Sequence, residues 1–354
     1  MHRNIVYGHS EWETHKCCWR HCRHFFTILA SGVNAISLGP PVFTCTLIAI
    51  VVAGFNQAVV DRRFPHWVPL LRVASLPFEL TSPVVALLLV FRTNAAYGRF
   101  DEARKAWGSN VNRTRDLARQ VLSWIRSPAD AWKVDCLLRH IKAYSYCLKH
   151  HLTQENTLRE DLKGVLEHRE VEAVMASKHS PNYVLQVISE LINQSELSQW
   201  EKIRMDENIT QFHDNVGACE RIFKTPIPIS YTHVTSRILL IWHMTLPLAL
   251  WESCDWLMIP VTFLSALAMF YIEEVGVMIE EPFCILALKA ISDGVAESLD
   301  GLVCSHREAS FRWSCCSFQP IIKEDSQVAV MIHSANNSKS EMNQKVQLHP
   351  DHSS

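Results

Sequence analysis

The chain has 354 residues, a formal net charge of −2 and 48% hydrophobic residues, which is too long for one small domain and too near neutral for a general nucleic-acid binder. The hydrophobic fraction alone does not separate a membrane protein from a soluble one. The distribution does: the apolar residues gather in two blocks with a polar middle between them.

The cysteines include the vicinal pairs Cys17-Cys18 and Cys315-Cys316, but no Cys-x-x-Cys with a matching second motif. The pattern therefore predicts no zinc site and no metal or cofactor. Cys45, Cys254 and Cys284 lie inside apolar segments, where a buried reduced thiol is the default. A disulfide-stapled secreted fold does not suit this length. The first 27 residues are polar and rich in His, Arg and Lys, which is no secretory signal, and Glu11 and Glu13 make a poor transit peptide.

His9 to Phe26 reads as an amphipathic basic helix anchored by Trp12, Trp19, Phe25 and Phe26, suited to a membrane interface. Pro40-Pro41 opens the apolar run Val42 to Phe55, which reaches the roughly 20 residues of a span only if Ile36-Ser37-Leu38 joins it. A polar loop with Asp61, Arg62, Arg63, Pro65 and an interfacial Trp67 follows. Leu70 to Phe91 is apolar but interrupted by Arg72, Glu79 and two prolines, so it reads as a broken helix. From Gly98 to Lys224 the chain is polar and helix-forming, with helix starts at Ser127-Pro128 and Ser180-Pro181. Trp132, Leu137, Ile141 and Tyr144 share one side of the first, and Tyr183, Val184, Val187 and Leu191 keep helical spacing in the second. Strand signals are missing. Thr225-Pro226-Ile227-Pro228 breaks the chain before Ile238 to Trp251, a bend at Glu252 to Asp255, and Trp256 to Tyr271. This is a membrane hairpin with Trp251 and Trp256 as interfacial aromatics.

The resulting fold class is an all-α membrane protein. Its parts are an amphipathic N-terminal segment (1–37), a first transmembrane pair (38–97), a soluble helical domain (98–230), a second transmembrane hairpin (231–283), a peripheral segment (284–322) and a disordered tail (323–354).

Leu76 to Trp107 organises the rest. An apolar helix runs straight into a basic one, as a span continuing into a water-facing vestibule would. Ser82-Pro83 has the form of an N-cap followed by proline at the first helical position. Pro83, Leu87 and Phe91 fall four apart on one face, although core packing alone produces the same spacing. Beyond them Arg92, Arg99, Arg104, Lys105, Arg113, Arg115 and Arg119 outnumber Asp101, Glu102 and Asp116. A cleft lined by one sign of charge concentrates counter-ions. A solvated face or the positive-inside tendency would also place such charges here.

His140, His150, His151, His168, His179 and His213 repeat no ligand spacing and read as surface histidines. Glu273-Glu274 and Glu280-Glu281 read as a solvated helix end. No phosphate loop, nucleophile elbow or Ser/His/Asp arrangement is visible, so nothing specific supports an enzyme.

Phe91-Arg92-Thr93-Asn94-Ala95-Ala96-Tyr97-Gly98-Arg99-Phe100-Asp101-Glu102 and its continuation to Gly108 resemble the signature of the bestrophin anion channels. So do Ile227-Pro228-Ile229-Ser230-Tyr231, Tyr271-Ile272-Glu273-Glu274-Val275-Gly276 and Ile279-Glu280-Glu281-Pro282-Phe283. The opening Val6-Tyr7-Gly8-His9 with Arg20 to His24 is similar to the voltage-dependent chloride channels of chloroplast thylakoids within that family. The resemblance covers about residues 1–300. It implies a homopentamer in lipid with four membrane helices per subunit and a central pore for chloride and other small anions. It implies a neck at Pro83, Leu87 and Phe91 and a second constriction, placed at Ile209 by counting back from the Ile-Pro-Ile-Ser-Tyr motif. Arg92, Arg99, Arg104 and Lys105 would line the anion-attracting vestibule. Calcium-gated animal members carry acidic residues just after the Pro-Phe motif, whereas Cys284-Ile285-Leu286-Ala287-Leu288-Lys289 stands here and offers no hard oxygen ligands. The alternatives are a bicarbonate-preferring channel, a non-conducting membrane scaffold and, weakest, a membrane-bound enzyme using the histidines.

Overall fold

The computed structural model describes residues 6–20, 32–153 and 155–315. Residues as far as Leu302 form one compact unit, and a second begins at Val303. Among the described residues there is no strand, only an isolated bridge between Lys163 and Leu166.

A short helix, α1 (His9–Lys16), opens the described chain and buries none of its residues. Glu11 caps it by accepting the Gly8 N–H at 2.8 Å. Phe25, Phe26 and the rest of the expected amphipathic helix lie outside the described residues, as does the tail from residue 316.

Four long helices build the apolar end: α2 (Gly32–Val60), α3 (Leu76–Trp124), α9 (Ile229–Cys254) and α10 (Met258–Glu280). One core cluster takes a residue or more from each of them, joining Leu38, Val42 and Cys45 to Val85, Leu89, Leu239, Ala266 and Phe270. A second joins Val52, Ala53, Trp251 and Met258. Among the described residues three stretches are long and apolar enough to cross a membrane, Leu38–Val60, Leu76–Trp124 and Ile229–Glu280. The last is a hairpin, turned at Asp255–Leu257 where Asp255 adopts φ 44°. Trp256 is exposed at this turn, but Trp251 is buried in the core, so only one of the expected interfacial pair faces out.

Residues 61–75 form a non-helical strap rather than the first part of a broken helix. Fully buried Asn56 holds it down: its amide donates to Leu71 O at 3.0 Å and its carbonyl accepts Leu71 N–H at 2.7 Å. The helix then starts at Leu76, not at Ser82, and runs unbroken for 49 residues with Pro83 inside it. Proline lacks the N–H that would bond Glu79 O. Ser82 Oγ donates to that carbonyl instead, at 3.2 Å, which is how a hydroxyl rescues a proline in a spanning helix. At 1.5 Å per residue α3 is about 73 Å long, more than twice the roughly 30 Å hydrocarbon layer. One helix thus carries both the apolar and the basic character.

The polar end packs α4 (Ala131–Thr153), α5 (Leu158–Leu162), α6 (His168–Ala176), α7 (Ser180–Gln194) and α8 (Gln199–Lys224) beside the second half of α3. Leu137, Ile141 and Tyr144 of α4 are buried as their spacing suggests, while Trp132 is exposed. The seam between α3 and α8 is polar. Asn215 donates to Asn110 Oδ1 at 2.8 Å and Asn208 to Gln120 Oε1 at 3.0 Å. The last helix, α11 (Leu288–Cys315), follows a short turn at Pro282–Cys284.

Candidate anion pathway

Successive turns of α3 sort its residues by face. Val85 and Leu89 point into the core, whereas Leu87 is 51% and Phe91 53% exposed, with Leu80, Pro83, Val84 and Val90 beside them. A face this apolar has no partner within the chain, so it is left for lipid or another copy. Pro83, Leu87 and Phe91 all lie on it.

The next residue turns the other way. Arg92 is 4% exposed, and its guanidinium donates to Glu273 Oε1 at 2.5 Å and to Ser236 Oγ at 3.1 Å. Ser236 also hydrogen-bonds that carboxylate oxygen. The triad ties α3, α9 and α10 together. Arg92 is therefore not a free vestibule charge, and Glu273 is not a solvated helix end: each ion neutralises the other where water is scarce. Glu280 is likewise engaged, accepting the Ile227 N–H at 3.1 Å.

Arg99 has a structural task as well. It donates to three backbone carbonyls, Glu280 O at 3.0 Å, Thr225 O at 2.5 Å and Ile222 O at 2.5 Å. The last two are unpaired carbonyls at the end of α8, where a cation is favoured by the helix dipole. Arg104 and Lys105 are exposed and share Asp101, at 2.7 and 2.6 Å, so this trio carries a net positive charge toward solvent. Asp101 and Lys105 are four apart, the spacing at which helical side chains meet.

The α3 amide end offers no anion site near Ser82, because the helix begins about two turns earlier. At its actual start the Glu79 carboxylate already faces the first turn and accepts Ser75 Oγ at 2.8 Å.

Among the described residues the bundle holds two clusters of metal-ligating side chains. His151 and His179 converge on Glu220, and Cys136 and His140 meet Glu170. His140 is buried rather than superficial. No local spacing announces the first, whose members come from three helices; in the second, Cys136 and His140 stand four apart on α4 and only Glu170 comes from another helix. The Arg92–Glu273 pair did leave a signal: an ion placed in or beside an apolar run demands a partner at the same depth.

Three comparisons bear on what these helices are. The family model described as "Bacterial/Fungal Bestrophin protein" matches residues 11–300. This chain is a bestrophin. It is 41% identical over 306 residues to "Voltage-dependent chloride channel 1, chloroplastic" of Arabidopsis thaliana, covering 86% of this chain and 74% of that one. A second Arabidopsis protein, "Voltage-dependent chloride channel 2, chloroplastic", is 42% identical over 302 residues, 85% of this bestrophin and 73% of its relative. Among solved structures, a variant of a bacterial bestrophin homologue from Klebsiella pneumoniae superposes with a TM-score of 0.65 at 25% identity, covering 74% of this bestrophin and 99% of that chain.

Against that family background Ile209 changes its reading. A residue that narrows a pore between subunits is exposed in the single subunit, but Ile209 is 4% exposed and faces the subunit's own core. Its neighbour on α8, Ile203, is 44% exposed. The helix phase, invisible to a count back from a motif, makes the difference. After Pro282-Phe283, Lys289 donates to Asp161 Oδ1 at 2.9 Å while buried Lys149 takes Asp161 Oδ2 at 2.7 Å. Two ammonium groups thus serve Asp161.

Proposed function

We propose that this bestrophin is a passive anion channel, a homopentamer whose five α3 helices surround the pore. The observation that carries the reading is the unpartnered apolar stripe of α3, continuous along one helix with a water-facing basic half. In the proposed layout residues 38–97 and 231–283 supply four spans, and 98–230 stand in water around the vestibule. Pro83, Leu87 and Phe91 form the neck. Ile203, not Ile209, is the candidate for the second constriction.

Selectivity then follows from two terms. An apolar neck favours weakly hydrated anions over small cations because dehydration costs them less, and the positive ring edge of Phe91 faces them. Beyond the neck, α3 carries six basic against three acidic side chains between residues 98 and 124. Such a field raises local anion concentration. Chloride is the proposed ion. The Arabidopsis relatives place such a channel in the chloroplast and make it voltage-dependent, and we extend both to this chain, in the thylakoid membrane. Calcium is not needed, because Cys284 to Lys289 lacks carboxylates.

Chloride efflux from liposomes holding the purified protein tests this reading, with native mass spectrometry for assembly. Chloride-selective efflux from a pentamer is expected. A pentamer that passes no anion would instead favour a non-conducting scaffold, and monomers or dimers alone would remove the pore.

A further inference from the structure

Three side chains that conduction leaves unused meet in the polar end. His151 lies in the last turn of α4, His179 caps the N-terminus of α7, and Glu220 belongs to α8. The two Nε2 atoms are 2.6 and 2.8 Å from the same oxygen, Glu220 Oε1, and the imidazole centroids are 4.3 Å apart. Each side chain is only 24–29% exposed, so the cluster is framed by protein yet open to solvent.

We propose that His151, His179 and Glu220 form a binding site for one divalent transition-metal ion of the zinc class. Two imidazole nitrogens and one carboxylate oxygen are the donors such an ion takes, with water completing a tetrahedron. Calcium and magnesium, which need oxygen shells, are not suited. The donor atoms lie within 4.8 Å of one another. A tetrahedral ion at roughly 2.0–2.1 Å from each donor spaces them about 3.3 Å apart, so small side-chain rotations open the cluster around it.

The chemistry of the metal-free cluster is compatible. Burial works against charge on Glu220, but hydrogen bonds from His179, Lys224 and His151 prevail and hold its carboxyl at about 2. An ionised carboxylate only accepts, so both Nε2 atoms carry protons there. Coordination requires each ring to shift its proton through solvent to Nδ1. For His179 this gives up the cap bond from Asn182 N–H, a long one at 3.3 Å, worth roughly fivefold in affinity. Lys224 holds Glu220 Oε2 at 3.0 Å and leaves Oε1 free for the ion, orienting the ligand from behind.

The other candidate cluster fails on the same grounds. His140 Nδ1, the atom facing Cys136, donates to Cys136 O at 2.8 Å, and Arg139 already neutralises Glu170 at 3.0 Å. Burial and the Glu170 charge push the Cys136 thiol up to about 11. It presents no thiolate, and the imidazole nitrogen that faces Cys136 has no free lone pair.

A bound ion would clamp α4, α7 and α8 just before the α8 carbonyls that Arg99 holds, stiffening the junction between bundle and pore helix. The test uses full-length protein in detergent, stripped with chelator and titrated with zinc against a chromophoric competitor, which needs no channel activity. One competed zinc per subunit is expected. His179→Asn keeps a capping acceptor but removes the ligand, and Glu220→Gln keeps the shape. Each should weaken zinc binding at least tenfold with an unchanged circular dichroism spectrum. Absence of competed zinc, or zinc affinity equal to the parent's in either variant, would overturn the proposal. Cobalt substitution gives a second readout: an intense visible band in the parent and not in the variants supports the site, and the same band in all three contradicts it.

Discussion

Phe91 and Arg92 are neighbours in sequence and opposites in space: Phe91 is 53% exposed on the unpartnered face of α3, while Arg92 is 4% exposed and bonded to Glu273. Adjacent helical residues lie 100° apart, so fixing one fixes the other. The buried pair therefore sets the rotation of α3 and turns Phe91 outward, to the side where the pore is proposed.

Glu273→Gln should cost about 3–5 kcal/mol, because it leaves the Arg92 charge buried without its counter-ion. Arg92→Met combined with Glu273→Gln should recover most of that loss. Thermal denaturation of the single and double variants in detergent measures the coupling. Strictly additive losses would show that the pair does not act as a unit.

Leu87→Ala with Phe91→Ala should widen the neck and ease dewetting, raising conductance or open probability with the pentamer intact. Leu89→Ala, one turn-face away and buried, should instead lose about 2–5 kcal/mol through the cavity it leaves. Bilayer currents and size-exclusion profiles separate the two. Parent-like currents from an intact double variant would place the constriction elsewhere.

Ile203→Ala and Ile209→Ala should likewise diverge. The first should alter current with stability nearly unchanged, and the second should destabilise by about 2–5 kcal/mol. The opposite pattern in melts and currents would restore Ile209 to the pore.

These contrasts mark what the sequence made legible. The apolar blocks, the hairpin turn near Asp255 and the continuity of span and basic helix follow from composition and period. The start of α3 did not, because Ser82-Pro83 has the form of a cap; its mid-helix role depends on one hydroxyl bond to Glu79 O. Arg92 and Arg99 carry charge that sequence counts as vestibule field, yet their partners, Glu273 and the carbonyls of Ile222, Thr225 and Glu280, come from 123 to 181 residues away. Ile209 was misplaced because a motif count ignores helical phase. The pairing of His151, His179 and Glu220 has no local signal at all.

Asp161 sits between Lys149 and Lys289. Burial alone would raise its pKa, but the two ammonium groups hold it below the ordinary 3.8. A depressed carboxylate contributes stability that is complete above that ordinary value and fades as pH falls through the folded one. Asp161→Asn should therefore cost about 3 kcal/mol at neutral pH, since it weakens a buried lysine pair. The gap from the parent should close in acid, as denaturation at the two pH values will show. A gap independent of pH would assign the loss to packing. Because ammonium groups already serve this carboxylate, currents should also persist in calcium chelator; their loss and return with micromolar calcium would contradict this.

Current–voltage curves of the purified protein in planar bilayers under a potassium chloride gradient decide whether α3 lines an anion pore. Such a pore gives a reversal potential close to that of chloride, shifted toward zero only slightly. A reversal near the potassium value, or a pentamer that carries no current in any anion, would contradict an anion pore lined by α3.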